Sequence, residues 1–261
     1  MKTLAIIPAR YASSRFPGKP LAVIRGKTMI QRVYEQALKS KTLDRIIVAT
    51  DDARIADTVK SFGGEVMMTS ESHTNGTERC IEVLFQINTE NLTSNLVNKS
   101  GQTNRFAPVY DIVVNIQGDE PFIDPEDIDK VVALLKNNAF DIATLAKKID
   151  VLADLDNPNV VKIIFDAAGK ALYFSRHAVP YLRDVPMSER LKAHDFYKHV
   201  GLYAFRGSTL LKLPQLRESL LEKAEKLEQL RWLENGFTIG VTQTQNNSVS
   251  IDTPEDLAKI I

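Results

Sequence analysis

The sequence predicts an α/β protein of three layers, in which a mostly parallel sheet lies between two layers of helices. Short apolar runs typical of buried strands alternate with helical periodicity through the first half of the chain. The β-branched run at 111–116 is typical of a central strand covered on both faces. The second half is less regular, and it predicts a smaller β-rich excursion from the same sheet.

Apolar patterns, together with start and stop signals, predict the individual strands and helices. In the first half, strands are expected at 4–7, 46–49, 65–68, 111–116 and 141–146, and helices at 29–38, 53–62, 77–86 and 125–137. Thr77 is expected to cap the third helix. The second half predicts a hairpin of 160–165 with 170–174, strands at 199–205 and 237–241, a helix within 220–234, and a last helix. Thr253 as cap and Pro254 at the first helical position start that last helix.

Length and composition indicate one domain over residues 1–261, without a nucleic-acid or membrane signature. Charged residues make up 25% and apolar residues 44%, and the formal net charge is +0. No apolar run approaches the roughly 20 residues of a membrane span. The single cysteine, Cys80, excludes an intramolecular disulfide and favours a packed thiol in a reducing, cytoplasmic compartment. Residues 88–108 are polar, and they predict a mobile insertion.

The turn after the first strand has the composition of a polyphosphate site. It carries Arg10, Arg15 and Lys19 among small residues, which allow backbone N–H groups to approach phosphate oxygens. The turn lacks the G-x-x-x-x-G-K-[ST] pattern of a Walker A loop. It therefore favours an enzyme that binds a nucleoside triphosphate by another loop. A solvated basic loop is the plainer alternative.

Two aspartates are candidate ligands of Mg²⁺. Asp119 follows Gly118 at the end of the central strand, where ligands of open α/β sheets bind. Asp252 precedes the last helix. Each alone is also explained as a helix cap. If the two carboxylates meet, they could hold one or two Mg²⁺ ions and align phosphate oxygens for in-line attack at an α-phosphorus.

These motifs together resemble the sugar-acid cytidylyltransferases, over nearly the whole chain apart from residues 88–108. The matching segments are 7–20, 49–52, 73–79, 115–121, 173–176, 198–203, 227–236 and 251–257. The resemblance implies a nucleotide-diphospho-sugar transferase-like, Rossmann-like fold. It also implies Mg²⁺-dependent transfer of CMP from CTP to 3-deoxy-manno-octulosonate (KDO) for lipopolysaccharide biosynthesis, by a cytoplasmic homodimer.

The resemblance also implies the roles of individual residues. Lys19, Asp119 and Asp252 would be catalytic, and the two aspartates would bind Mg²⁺. The nucleotide site would comprise Arg10, Ser13, Arg15, Lys19, Thr50, Asn75 and Arg79. The sugar-acid site would comprise Gln117, Arg176, His199, Glu228 and Gln229. Asn75 stands where the family has serine, so the amide replaces a hydroxyl at the nucleotide.

Physical chemistry agrees with the sugar-acid assignments without requiring them. Arg176 offers a planar two-donor fork for a carboxylate, and the other side chains offer mixed donors and acceptors for hydroxyl groups. On local sequence alone, Arg176 could be a surface residue and His199 could be packed at the start of a strand. Glu228 and Gln229 could equally lie on a solvated helix face.

Several functions stay open at this stage. The same chemistry could act on sialic acid, on an 8-amino octulosonate or on a polyol phosphate, although Arg176 alone is a meagre basic cluster for a phosphate. A non-catalytic nucleotide-binding protein would bind CTP without releasing pyrophosphate. A scaffold protein would leave the cations at Arg10, Arg15 and Lys19 unexplained.

Overall fold

A central sheet organises the chain in the computed structural model, which describes residues 1–13, 15–96, 108–137, 139–247 and 250–260. The strands are β1 (Thr3–Ala9), β2 (Val23–Ile24), β3 (Lys27–Thr28), β4 (Arg45–Thr50), β5 (Val66–Met68), β6 (Ile112–Asn115), β7 (Ile142–Lys148), β8 (Lys162–Phe165), β9 (Ala171–Ser175), β10 (Tyr197–Arg206) and β11 (Ile239–Gln243). The helices are α1 (Met29–Ala37), α2 (Ala53–Ser61), α3 (Gly76–Leu96), α4 (Pro125–Asn137), α5 (Leu152–Asp156), α6 (Arg190–Ala193), α7 (Gly207–Leu210), α8 (Leu220–Glu225), α9 (Glu228–Glu234) and α10 (Pro254–Ala258).

The sheet has the order β11-β7-β10-β6-β1-β4-β5. Along this path of seven strands the pairs are parallel, except that β10 runs antiparallel to both of its neighbours, β6 and β7. The β8–β9 hairpin joins β10 through the pairing of Lys198 with Lys162. The predicted mostly parallel sheet with a β-rich excursion is therefore confirmed.

The period of two along each strand separates the sheet into two faces. Ala5 and Ile7 of β1 face one layer, which consists of α1, α2 and α4. Leu4 and Ile6 face the other layer, which includes α3 and α9. Cys80 of α3 is fully buried in this second layer, and burial raises the pKa of its thiol. The thiol is thus a packed group, as predicted.

Most predicted elements are confirmed, with three differences. Thr77 does not cap α3, because the helix begins at Gly76 and Asn75 Oδ1 instead accepts a hydrogen bond from the Glu78 N–H group. Helix α3 continues to Leu96, so the first part of the predicted insertion is helical; residues 97–107 lie outside the described residues. The helix expected within 220–234 is two helices, since Lys226 adopts a left-handed conformation (φ 54°) between them.

Among the described residues, no helix has the length and apolar character needed to cross a membrane.

Trp232 ties α9 to the sheet and should carry a large share of its stability. The side chain is 2% exposed, and its ring meets the rings of Tyr203 and Phe205 edge-on at 5.2 and 5.3 Å. Trp232→Ala should lower the free energy of unfolding by about 3–5 kcal/mol, as measured by urea denaturation. The control Leu38→Ala, at a side chain that is 60% exposed, should stay within about 0.5 kcal/mol. Equal losses in the two variants would contradict this packing.

Candidate active site

Lys19 joins the two candidate metal ligands at the carboxyl edge of the sheet. Its Nζ atom lies 2.6 Å from Asp119 Oδ2 and 3.1 Å from Asp252 Oδ1. Asp252 Oδ1 also lies 3.2 Å from the Arg15 guanidinium. The two carboxylates, which are 133 positions apart in the sequence, therefore share one ammonium group.

Backbone contacts fix this meeting of distant loops. The Ile251 N–H group donates to the Asp119 carbonyl at 3.0 Å, directly beside the two carboxylates. Gly118 lies so close to β1 that a Cβ atom there would come within 2.6 Å of the Pro8 carbonyl oxygen. Helix α10 is capped by Thr253 in a capping box with Asp256, so Asp252 is not the cap. Its carboxylate is therefore available to pair with Lys19 and Arg15 in the cleft.

The basic turn after β1 forms one wall of the cleft. Its shape depends on Tyr11, whose carbonyl accepts from the Gly18 N–H group at 2.9 Å, and Gly18 has φ 72°. Arg10, Ser13 and Arg15 line the cleft together with Lys19. The two arginines are exposed, whereas the Lys19 side chain is only 13% exposed. Three cations thus converge on the cleft, as the sequence predicts for a polyphosphate site.

The turn before α3 forms the opposite wall, with Asn75 and Arg79 among its lining residues. Arg79 is 3% exposed, and it donates to Asp51 Oδ2 at 2.5 Å and to Thr69 Oγ1 at 2.7 Å. It is therefore anchored by a buried ion pair. Thr50 is not brought into the cleft: its side chain is fully buried, and its hydroxyl accepts from the backbone of its own loop. Thr50 is therefore absent from the residues that line the cleft, and its contact with a nucleotide stays a prediction.

A second group of polar side chains lies beneath the start of α3. Glu228 accepts a hydrogen bond from Thr77 Oγ1 at 3.0 Å, and Gln117 donates to the Gly201 carbonyl at 3.4 Å. His199 Nε2 lies 2.9 Å from Thr144 Oγ1, and burial lowers the pKa of this imidazole to about 3. The ring is therefore neutral at physiological pH. It can serve as a fixed hydrogen-bonding group and does not supply positive charge.

Tyr203 and Asn115 belong to this second group, although the sequence analysis did not select them. They pair across β10 and β6, so their side chains lie on the same face of the sheet. Among the described residues, Tyr203 Oη and Asn115 Oδ1 are buried without a hydrogen-bond partner. Such atoms are costly unless a ligand or water satisfies them. Tyr203 and Asn115 lie together because of the pairing register of β10 with β6, which is a long-range feature that local sequence patterns do not predict.

Of the five predicted sugar-site residues, Gln117 lines the cleft, whereas four lie outside its lining: Arg176, His199, Glu228 and Gln229. The Arg176 guanidinium donates to the carbonyls of Glu225, Pro158 and Lys226, at 2.6, 2.8 and 3.3 Å. A substrate carboxylate that bound Arg176 would compete with these three carbonyls for the N–H groups of the guanidinium. Gln229 is 6% exposed at the start of α9, next to Glu228. Direct contact of any of these four residues with a substrate stays a prediction.

The chemistry of the Lys19 cluster fits a divalent metal that arrives with a nucleotide. Asp119 and Asp252 offer hard oxygen ligands that already share one cation. The described residues hold no group of three or more His, Cys, Asp or Glu side chains arranged around one metal position. Mg²⁺ characteristically uses one or two carboxylates and takes its other ligands from water and substrate phosphates. Two carboxylates beside a basic turn meet that requirement.

A mostly parallel sheet with two carboxylates, a lysine and a basic turn at its carboxyl edge is typical of a nucleotidyl-transferring enzyme. Comparison with known proteins narrows the class: residues 4–239 match the family model "Cytidylyltransferase". The 3-deoxy-manno-octulosonate cytidylyltransferases of Parabacteroides distasonis and Porphyromonas gingivalis are 48% and 49% identical to all of this chain, over 97% and 95% of their own lengths. The chain belongs to the cytidylyltransferase family, among the 3-deoxy-manno-octulosonate cytidylyltransferases.

A solved structure agrees with this placement. The structure of CMP:2-keto-3-deoxy-manno-octonic acid synthetase complexed with CTP superimposes with a TM-score of 0.86 and 38% sequence identity. The match covers 100% of this chain and 97% of the other. The fold that the sequence predicted is therefore that of a relative with bound CTP.

Glu228 should make the stability of the protein depend on pH in a defined direction. Burial raises the pKa of its carboxyl from 4.5 to about 6, although the hydrogen bond from Thr77 lowers it. The folded protein therefore holds this proton more tightly than the unfolded chain, and the resulting stability is lost as pH rises through about 6. Glu228→Gln should raise the free energy of unfolding by about 2 kcal/mol at pH 8 and leave it unchanged at pH 4. Urea denaturation at both pH values tests this, and an equal effect at both would contradict it.

Proposed function

We propose that this protein transfers CMP from CTP to KDO, forming CMP-KDO and pyrophosphate and so activating the sugar acid for lipopolysaccharide biosynthesis. The observation that carries the proposal is the cluster in which Lys19 joins Asp119 and Asp252 in front of a basic turn. The names of the full-length relatives support CTP and KDO as the substrates.

The reaction needs positioning and charge neutralisation more than covalent catalysis. The anomeric hydroxyl oxygen of KDO forms a bond to the α-phosphorus of CTP and releases its proton to solvent. The bond from the α-phosphorus to the oxygen that bridges to the β-phosphate breaks, and pyrophosphate leaves. Lys19, Arg10 and Arg15 offset the charge that develops on the leaving pyrophosphate. Arg79, held by Asp51, provides a rigid wall for the nucleoside. No covalent enzyme intermediate is needed.

Asp119 and Asp252 are the residues proposed to hold Mg²⁺. When bound there, the ion supplies charge neutralisation at the phosphates and favours ionisation of the attacking hydroxyl. Lys19 would then exchange its two carboxylate partners for phosphate oxygens, because its flexible stem can follow the incoming charge. The ion pairs of Lys19 thus hold the carboxylates together until the nucleotide arrives.

The group beneath the start of α3 is proposed to receive the sugar acid. Glu228 accepts hydrogen bonds from hydroxyl groups, while Gln117 and His199 orient the ring. The unpartnered oxygens of Tyr203 and Asn115 suit a polyhydroxylated ligand for the same reason.

We also propose, on the family resemblance, a cytoplasmic homodimer. The exposed Leu220 and Leu221 of α8 offer an apolar surface to a second copy.

Pyrophosphate release with CTP tests the proposal directly. The protein should release pyrophosphate with KDO much faster than with sialic acid, an 8-amino octulosonate or a polyol phosphate. Fastest turnover with another of these acceptors would reassign the substrate. Binding of CTP without turnover of any acceptor would favour a non-catalytic nucleotide-binding protein and overturn the proposal.

The metal assignment predicts a defined mutant pattern. Asp119→Asn and Asp252→Asn should each reduce kcat by about two orders of magnitude or more, because each removes a charge that holds the metal. EDTA should abolish turnover, and excess Mg²⁺ should restore it in the wild type and only partly in the variants. Asp57→Asn, at an exposed aspartate of α2, is the matched control and should behave as the wild type. Near-normal turnover of Asp119→Asn at saturating Mg²⁺ would refute the assignment.

A further inference from the structure

Lys162 of β8 is a buried cation for which the proposed reaction has no use. Its relative exposure is 0%, which is unusual for a lysine. Burial lowers the pKa of its ammonium, while Asp156 and Glu225 oppose that change. Burying an ammonium group is energetically unfavourable unless hydrogen bonds compensate for the lost hydration. A residue held at that cost calls for a structural or functional reason.

The ammonium group of Lys162 holds one particular turn. Nζ donates to the carbonyl of Asn157 at 2.9 Å and to the carbonyl of Val160 at 2.6 Å. These two carbonyls bracket the turn 157–160, which connects the end of α5 to β8. Lys162 therefore fixes the shape of this turn from inside the protein.

Arg176 connects the same turn to the bend between α8 and α9. Its guanidinium donates to the Pro158 carbonyl of the turn and to the carbonyls of Glu225 and Lys226 in the bend. The Glu225 carboxylate in return accepts from Ser175 Oγ at 2.8 Å and from the Arg176 N–H group at 2.9 Å. The turn, the end of β9 and the bend are thus held as one unit.

The bend between α8 and α9 fixes the position of the first residues of α9, which belong to the proposed sugar-acid site. Lys226 adopts the left-handed conformation there, and α9 starts two residues later with Glu228 and Gln229. Glu228 then reaches Thr77 at the start of α3. A displacement of the turn would therefore pass through Arg176 to the carboxylate of Glu228.

We propose that Lys162 is a positioning residue for the sugar-acid pocket, which acts through the turn 157–160 and Arg176 on the start of α9. The proposal rests on the proposed function, because it takes Glu228 as part of the acceptor site. It assigns Lys162 no contact with either substrate. Its effect should accordingly appear in the use of the sugar acid and not in the binding of CTP.

Kinetics of Lys162→Met, which keeps the length of the side chain and removes the ammonium, test the proposal. The KM for the sugar acid should rise about tenfold, as is typical when a supporting residue is lost, while the KM for CTP stays within about twofold. Lys170→Met, at an exposed lysine of the hairpin turn between β8 and β9, is the control and should change neither KM. Unchanged KM values in Lys162→Met, or equal increases for both substrates, would overturn the proposal.

A double-mutant cycle separates positioning from a general loss of stability. If Lys162 acts through Arg176, the variant Lys162→Met/Arg176→Met should have the same KM for the sugar acid as Arg176→Met alone. Additive increases would overturn the proposal. If Lys162→Met does not fold, Lys162→Arg keeps a cation of altered geometry, and it should again raise the KM for the sugar acid alone; wild-type KM values would overturn the proposal. Failure of the proposed function is distinguishable, because the wild-type protein would then release no pyrophosphate with KDO.

Discussion

The shared ammonium of Lys19 is the interaction on which the geometry of the cleft depends. Asp119 and Asp252 are like charges on different loops, and without a cation between them they would repel each other. Lys19, held by the turn after β1, pairs with both carboxylates and so holds them on one ammonium group. The hydrogen bond from Ile251 to the Asp119 carbonyl keeps the loops together at the backbone level. The same arrangement is suited to exchange Lys19 for a divalent metal when a triphosphate brings its own negative charge.

The antiparallel strand β10 lies between the proposed nucleotide site and the proposed sugar-acid site. Its insertion between β6 and β7 places Tyr203 beside Asn115, within reach of the start of α3. The β8–β9 hairpin attached to β10 carries Lys162 and Arg176, which hold the bend before Glu228. In the proposed function, the parallel half of the sheet carries the proposed phosphate and metal site, and β10 with its hairpin supports the proposed pocket for the sugar acid. One sheet would thus align the two reactants of the proposed reaction.

Local patterns predicted those parts of this protein that depend on neighbouring residues. Strand β1, its basic turn and the cap at Thr253 follow from period, charge and capping chemistry. The meeting of Asp119 with Asp252 could only be a hypothesis, since each aspartate alone resembles a helix cap. Asn75 lines the cleft, and its Oδ1 atom also accepts from the Glu78 N–H group at the start of α3, where Thr77 was the expected cap. The carbonyl network of Arg176 and the unpartnered Tyr203 and Asn115 depend on long-range register, which periodicity does not encode.

Binding of Mn²⁺, followed by electron paramagnetic resonance with and without CTP, shows whether Asp119 and Asp252 hold the metal together with the nucleotide. We expect CTP and the ion to bind together, and the free protein to hold the ion weakly because Lys19 occupies the carboxylates. Asp119→Asn and Asp252→Asn should each abolish the CTP-dependent signal. Mn²⁺ binding that is equally tight with and without CTP, or that survives in both variants, would contradict this assignment of the metal site.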